Sequence, residues 1–179
     1  MIFSSIFNLT LISIFAGYSF AIKKYLFKRD NDVSNLDLVY GYLFLISLSL
    51  IFNFFFALKY FFFPIIIIGL IFFFNDYKKK KIQINFLYHF LILFFLSFII
   101  YKNGDNVDTP MYHLQIIKWL YNEKIVFGLS NLEIRFASSS LWFNLIALFK
   151  LKINNFSNIY TFNLIPFSIL IYQIFQKKT

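Results

Sequence analysis

The chain reads as an all-α protein, a polytopic bundle of about five or six transmembrane segments with one interfacial helix in a loop on the outer face. Three observations predict this. Apolar runs free of Lys, Arg, Asp and Glu recur at lengths that suit a hydrocarbon core. Lysines gather in short clusters between those runs. Hydrophobic residues make up 60% of the chain and charged residues 14%, against roughly 45–50% and 25% in soluble domains.

A soluble fold of 179 residues leaves much of its surface in water, so 29 Phe and runs such as 60–74 would expose a very large apolar patch. The mean hydropathy of +0.70 points the same way. The formal net charge of +9 lies largely in the inter-run clusters. There it reads as a topology signal, and no nucleic-acid partner is expected. Phe, Ile, Lys and Asn are all favoured by AT-rich coding, so spacing carries more weight than totals. The absence of Cys excludes disulfides, thiol catalysis and Cys-ligated metal.

The first segment, 2–22, follows Met1 with no basic region ahead of it. Lys23, Lys24, Lys28 and Arg29 come after it, which suits an uncleaved anchor. The second, 38–58, is separated from 60–74 by Lys59 alone. As one helix, 38–74 would be ~55 Å long against a core of ~30 Å, so the chain is expected to fold back near Lys59. Pro64 then falls in the first turn of the third helix, where proline is tolerated. The fourth segment is 84–101. A loop at 102–136 follows, then a short apolar run, 137–149, that is either a tilted span or a re-entrant piece. The last run, 156–175, contains Pro166 and is expected to bend there.

Orientation follows from the basic connections. The cluster at 23–29 and the cluster Lys78 to Lys81 lie two spans apart, so both belong on the cytoplasmic side. The N-terminus, the turn at Lys59 and loop 102–136 are then outside. Lys150 and Lys152 fall inside if 137–149 crosses, and Lys177 and Lys178 then fall outside. The chain shows no internal repeat, Gly-Ser linker or soluble domain, so 1–179 reads as a single membrane domain. Its end directly after an apolar segment is also the pattern of a piece of a longer protein.

Loop 102–136 is the stretch long enough to hold a site outside the lipid. Asn103, Gly104, Asp105 and Asn106 supply turn chemistry, and Thr109 before Pro110 predicts a helix start. From 110 to about 121, Ile116, Ile117 and Leu120 line one side, while Tyr112, Gln115 and Trp119 follow the spacing of another. Such a helix suits the membrane interface, with Trp119 and Tyr121 at headgroup level.

Each polar residue there has a plain structural reading. Asp108 favours the positive end of the helix dipole, and Asp105 is a turn residue. His113 can be a hydrogen-bonded histidine; the other His, His89, is expected near the opposite face, which gives a metal pair little support. Lys118 suits anionic headgroups, and Arg135, ahead of an apolar run, suits snorkelling. Within the spans, Asn53 and His89 read as interhelical hydrogen-bonding groups.

Three stretches carry a resemblance. Asp108-Thr109, Tyr112 to Gln115 and Ile117 to Trp119 form the first, Gly128-Leu129 with Asn131-Leu132 the second, and Arg135 to Ala137 with Ser140, Trp142 and Phe143 the third. Together they resemble the N-terminal part of a family of large bacterial multi-spanning membrane proteins that looks like the GT-C class of glycosyltransferases. The resemblance covers roughly a quarter of the chain and is carried by the family pattern, not by the chemistry. The chain departs from it at Glu133, where the family tends to carry His, and at Ser138 and Ser139, where an aromatic and Asn are usual; it is also much shorter than a complete member.

The resemblance implies transfer of a sugar from a polyprenyl-phosphate donor on the outer side of a bacterial inner membrane, in envelope polysaccharide assembly. Asp108 would then act as general base or as part of a divalent-cation site. Arg135 would pair with the donor phosphate, and Tyr112, His113, Gln115 and Lys118 would position sugar or phosphate oxygens. Gly128 would permit the turn that returns the loop to the membrane. The competing expectation is a non-catalytic membrane protein: a transport or assembly subunit, or an inactive fragment.

Overall fold

The computed structural model describes residues 2–28, 32–79, 82–103, 112–128, 131, 141–150, 152–153, 156–157 and 162–176. Among these, α1 (Ile2–Tyr25), α2 (Leu38–Phe55), a 3-10 turn (Leu58–Tyr60), α3 (Phe62–Tyr77) and α4 (Phe86–Asn103) come first. They are followed by α5 (Leu114–Asn122), α6 (Leu141–Leu148) and α7 (Leu164–Gln176). Lys152–Ile153 (β1) and Phe156–Ser157 (β2) form one small antiparallel pair, with Ile153 opposite Phe156. The fold class expected from the apolar periodicity, an all-α architecture, describes it apart from that pair.

Helix α1 is the central helix, and α2, α3 and α4 pack around it. Close approach is possible because the contact points are small. A Cβ on Gly41 would strike the Phe15 carbonyl oxygen and lie 2.7 Å from Ser19 Oγ. One on Gly17 would strike the Gly69 carbonyl. Small residues of this kind let helix backbones meet where dispersion must hold them together. The break expected near Lys59 is present: α2 ends at Phe55, Ala57 is extended, and Phe52 stacks on Phe61 at 4.1 Å across the turn.

At the opposite end, the two lysine-rich connections meet. Val33 and Ile82 form a parallel bridge, and the Gln83 amide donates to the Val33 carbonyl at 2.9 Å. Gln83 Nε2 also donates to Asp32 Oδ2 at 2.7 Å. Lys23, Lys24, Lys28, Lys78 and Lys79 therefore border one end of the bundle.

In two of the expected segments the described helix is shorter than the apolar run. In 137–149 the described helix is α6, eight residues and so ~12 Å long, which cannot cross a ~30 Å core. Its Leu145, Ala147 and Leu148 are fully buried, as expected of a piece packed inside the bundle. The Lys150 ammonium lies 5.0 Å from the Tyr121 ring centroid, on α5. In 156–175 the helix begins only at Leu164 and runs 13 residues, because Phe156 and Ser157 belong to β2. Pro166 stands at its third position and starts the helix instead of bending it, since an amide in the first turn has no intrahelical acceptor to lose. Lys177 and Lys178 lie outside the described residues.

By length and composition, α1 and α2 can each cross a membrane; α3, the apolar part of α4 and α7 are shorter. Around an apolar core, several polar side chains are buried and many large apolar ones face outward. Asn8, Ser49, Asn53, His89 and Ser97 are fully buried, whereas Phe55, Phe63, Leu87 and Phe95 are more than 60% exposed. Five rings close a loop at the heart of the bundle: Phe15–Tyr42, Tyr42–Trp142, Trp142–Phe162, Phe162–Phe149 and Phe149–Phe15, with centroids 5.5–6.2 Å apart. They join α1, α2, α6 and the turn before α7 into one core.

Candidate functional site

The short helix α5 carries the motif residues that can be placed. Ile116 and Ile117 are buried against α6 and the 3-10 turn, as their spacing predicted. Gln115 and Lys118 are exposed, and Tyr112 and His113 are half-buried in a single π-helical turn that leads into the helix. Tyr112, Gln115 and Lys118 follow one another at three-residue intervals and so share the open stripe. The His113 ring lies 4.3 Å from that of Tyr112 and reaches across to α6, 5.3 Å from that of Phe143.

Two separated parts of the motif thus come together. His113 and Phe143 are 30 positions apart in the chain, yet they start two helices that lie side by side. The Lys150–Tyr121 contact at the other ends shows that α5 and α6 run in the same direction. The helix expected at the interface is packed alongside α6, where its buried isoleucines find a protein surface to cover. Gly128 takes φ 82°, the left-handed conformation that glycine adopts without cost, and its carbonyl accepts the Asn131 amide at 2.9 Å. Asp105, Asp108, Thr109 and Arg135 lie outside the described residues.

Asn53 holds this assembly in place. Its Nδ2 donates to the carbonyls of Leu120 and Glu123, both at 3.0 Å, and its own carbonyl accepts the Ile125 amide at 2.8 Å. The end of α5 is therefore pinned to the end of α2 by one buried amide. The sequence marked Asn53 as an interhelical hydrogen-bonding group but could not name its partner 67 residues away.

Asn144 was missed. It sits on α6 directly after Phe143, only 4% exposed, and its Nδ2 finds no hydrogen-bond partner among the described residues. An unpaired buried amide costs about 1–3 kcal/mol. Its two N–H groups are donors available to an oxygen acceptor. The signal was present as a lone Asn inside the apolar run 141–149.

A second polar group lies at the lysine-rich end. His89 is fully buried, with Nε2 2.8 Å from Asn35 Oδ1, Nδ1 3.2 Å from Ser168 Oγ, and the Tyr172 ring stacked on it at 5.4 Å. Both ring nitrogens are occupied, so His89 joins α4, α7 and the α1–α2 connection and offers nothing to a metal. Nearby, Lys23 Nζ pairs with Asp37 Oδ2 at 2.9 Å and donates to the Asp32 carbonyl at 2.8 Å. Burial alone would push the Asp37 carboxyl up. The Ser34 amide, the Lys23 ammonium and the Ser34 hydroxyl together outweigh it and hold the group below the usual aspartate value.

Among the described residues, no three His, Asp or Glu side chains stand close enough to share a metal ion. A family model described as "Domain of unknown function (DUF8201)" matches residues 1–179, and the chain belongs to that family. No curated protein and no solved structure matches it.

Proposed function

We propose that this DUF8201 member is a polytopic protein of the bacterial inner membrane, with its lysine-rich end in the cytoplasm and its N-terminus and residues 102–136 on the outer side. On this reading it is built like the N-terminal part of a GT-C glycosyltransferase that takes sugar from a polyprenyl-phosphate donor. The membrane half of the reading rests on the many large apolar side chains that face outward, together with the polar groups buried among the helices. Five or six segments enter the lipid: α1 and α2 cross it, and the shorter apolar helices complete the bundle.

The observation that supports the transferase half is the contact of His113 with Phe143, which brings two motif-bearing stretches together. Asp108, four residues before the α5 lead-in, would accept the proton of the acceptor hydroxyl as its oxygen bonds to the anomeric carbon. The bond from that carbon to the phosphate oxygen breaks, and Arg135 would receive the departing polyprenyl phosphate through charge-assisted hydrogen bonds. Tyr112, Gln115 and Lys118, on the open stripe, would hold sugar or phosphate oxygens, with His113 and Asn144 on the α6 side. A divalent cation at Asp108 would sharpen its role, and no step above depends on one.

Turnover of a polyprenyl-phosphate sugar in proteoliposomes tests the proposal. Asp108→Asn is expected to reduce it by about 10²–10⁴-fold. The competing reading, a non-catalytic transport or assembly subunit, draws on the departures at Glu133, Ser138 and Ser139. Absence of turnover in both wild type and variant would favour it.

A further inference from the structure

The lysine-rich half of the bundle carries an open groove of about 240 Å³ between α1, α2 and α3. Its floor is one stripe of α1 and the residue after it: Tyr18, Ala21, Ile22, Tyr25 and Leu26. Phe44 of α2 and Phe72 of α3 are its walls. The Tyr18 ring, with centroids 5.8 Å from Phe44 and 6.3 Å from Phe72, closes the deep end. Its hydroxyl donates to the Ile65 carbonyl at 3.0 Å, so the deep end presents carbon. From Tyr18 to Tyr25 the floor extends ~10 Å along the helix axis.

The mouth has the opposite character. Tyr25 and Leu26 are about two-thirds exposed there, and the Lys24 ammonium stands 5.4 Å from the Tyr25 ring centroid. Lys24 makes no ion pair among the described residues; the carboxylate of Asp37 is taken by Lys23. Lys28, held at φ 52° just beyond the helix, adds a second exposed cation at the same end. An apolar slot with a cation beside its mouth, the Lys24 ammonium lying between the Phe20 and Tyr25 rings, matches an amphiphile with one long chain inward and an anionic head outward.

We infer that this groove binds one acyl chain of an anionic phospholipid from the lysine-rich leaflet, with Lys24 at its phosphate. The inference rests on the membrane reading above and is independent of sugar transfer. It also accounts for Ala21, where a larger side chain would fill the slot.

Native mass spectrometry of the full chain in nonionic detergent tests it, with phosphatidylglycerol and phosphatidylcholine added in turn. One retained phosphatidylglycerol is expected, with phosphatidylcholine retained at least about fivefold less, and Lys24→Gln should weaken phosphatidylglycerol by about the same factor. Ala21→Phe should abolish retention while helix content stays unchanged. If Ala21→Phe does not assemble, Ala21→Leu should still lower retention several-fold. Equal retention of both lipids, or retention indifferent to the Ala21 and Lys24 substitutions, overturns the inference. A dimer that Ala21→Phe dissociates also overturns it, because the groove would then hold a second copy of this chain. None of these outcomes depends on transferase activity, so the two readings fail separately.

Discussion

Asp37 shows how one carboxylate ties a connection to a helix end. Three donor atoms converge on its Oδ2: the Ser34 amide and hydroxyl at 2.8 Å and the Lys23 ammonium at 2.9 Å. The folded carboxyl ionises more readily than the unfolded one, whose value is about 3.9. Its contribution to stability is therefore complete above that value and is lost as pH falls through the lower folded one. Unfolding in micelles across acid pH should show this loss in wild type and not in Asp37→Asn. Asn53 makes the complementary case with a neutral group. Asn53→Ala leaves the Leu120 and Glu123 carbonyls without their donor and is expected to destabilise the fold by about 1–3 kcal/mol in chemical denaturation. That both residues are polar at helix ends was legible in the sequence. Which atoms they serve was not, because the acceptors of Asn53 lie on another helix.

The helices divide by how their borders are set. The turn between α2 and α3 could be read from length alone, since a single straight helix would overrun the bilayer. The limits of α6 and α7 could not, because an apolar run carries the same composition whether it forms helix, strand or buried coil. What brings α1, α2 and α3 together is the absence of side chains at Gly17, Gly41 and Gly69. At Gly41 the obstacle to any larger residue is the backbone of α1, which cannot rotate away. Gly41→Val should therefore cost about 1–3 kcal/mol or more. Ser47→Val, on the exposed side of the same helix, should change stability by less than about 0.5 kcal/mol. Equal effects in parallel denaturation experiments would show that α2 does not pack as described.

At the scale of the whole molecule, the meeting of Val33 with Ile82 puts both basic connections at one end, and the Lys59 turn lies at the other end of α2 and α3. The chain contains no Cys, so single cysteines report position cleanly. In sealed vesicles, Lys28→Cys and Lys79→Cys should react with an impermeant maleimide from the same side, and Lys59→Cys from the opposite side. Labelling of all three from one side would refute a bundle that crosses the lipid.

The sequence by itself determined the helical class, the apolar character of the helices, the fold-back near Lys59 and the shared end of the two basic clusters. These follow from run length and charge spacing, which are properties of contiguous segments. Only the tertiary structure decided that 137–149 holds a short buried helix, that α5 stands against α6 and hangs from Asn53, and that His113 meets Phe143. It also exposed Asn144 as a donor without a partner among the described residues and left a groove beside Lys24. Each of these depends on which distant surfaces pack together, and packing is chosen by the shapes and polar atoms of several segments at once. No single segment carries that information in its composition.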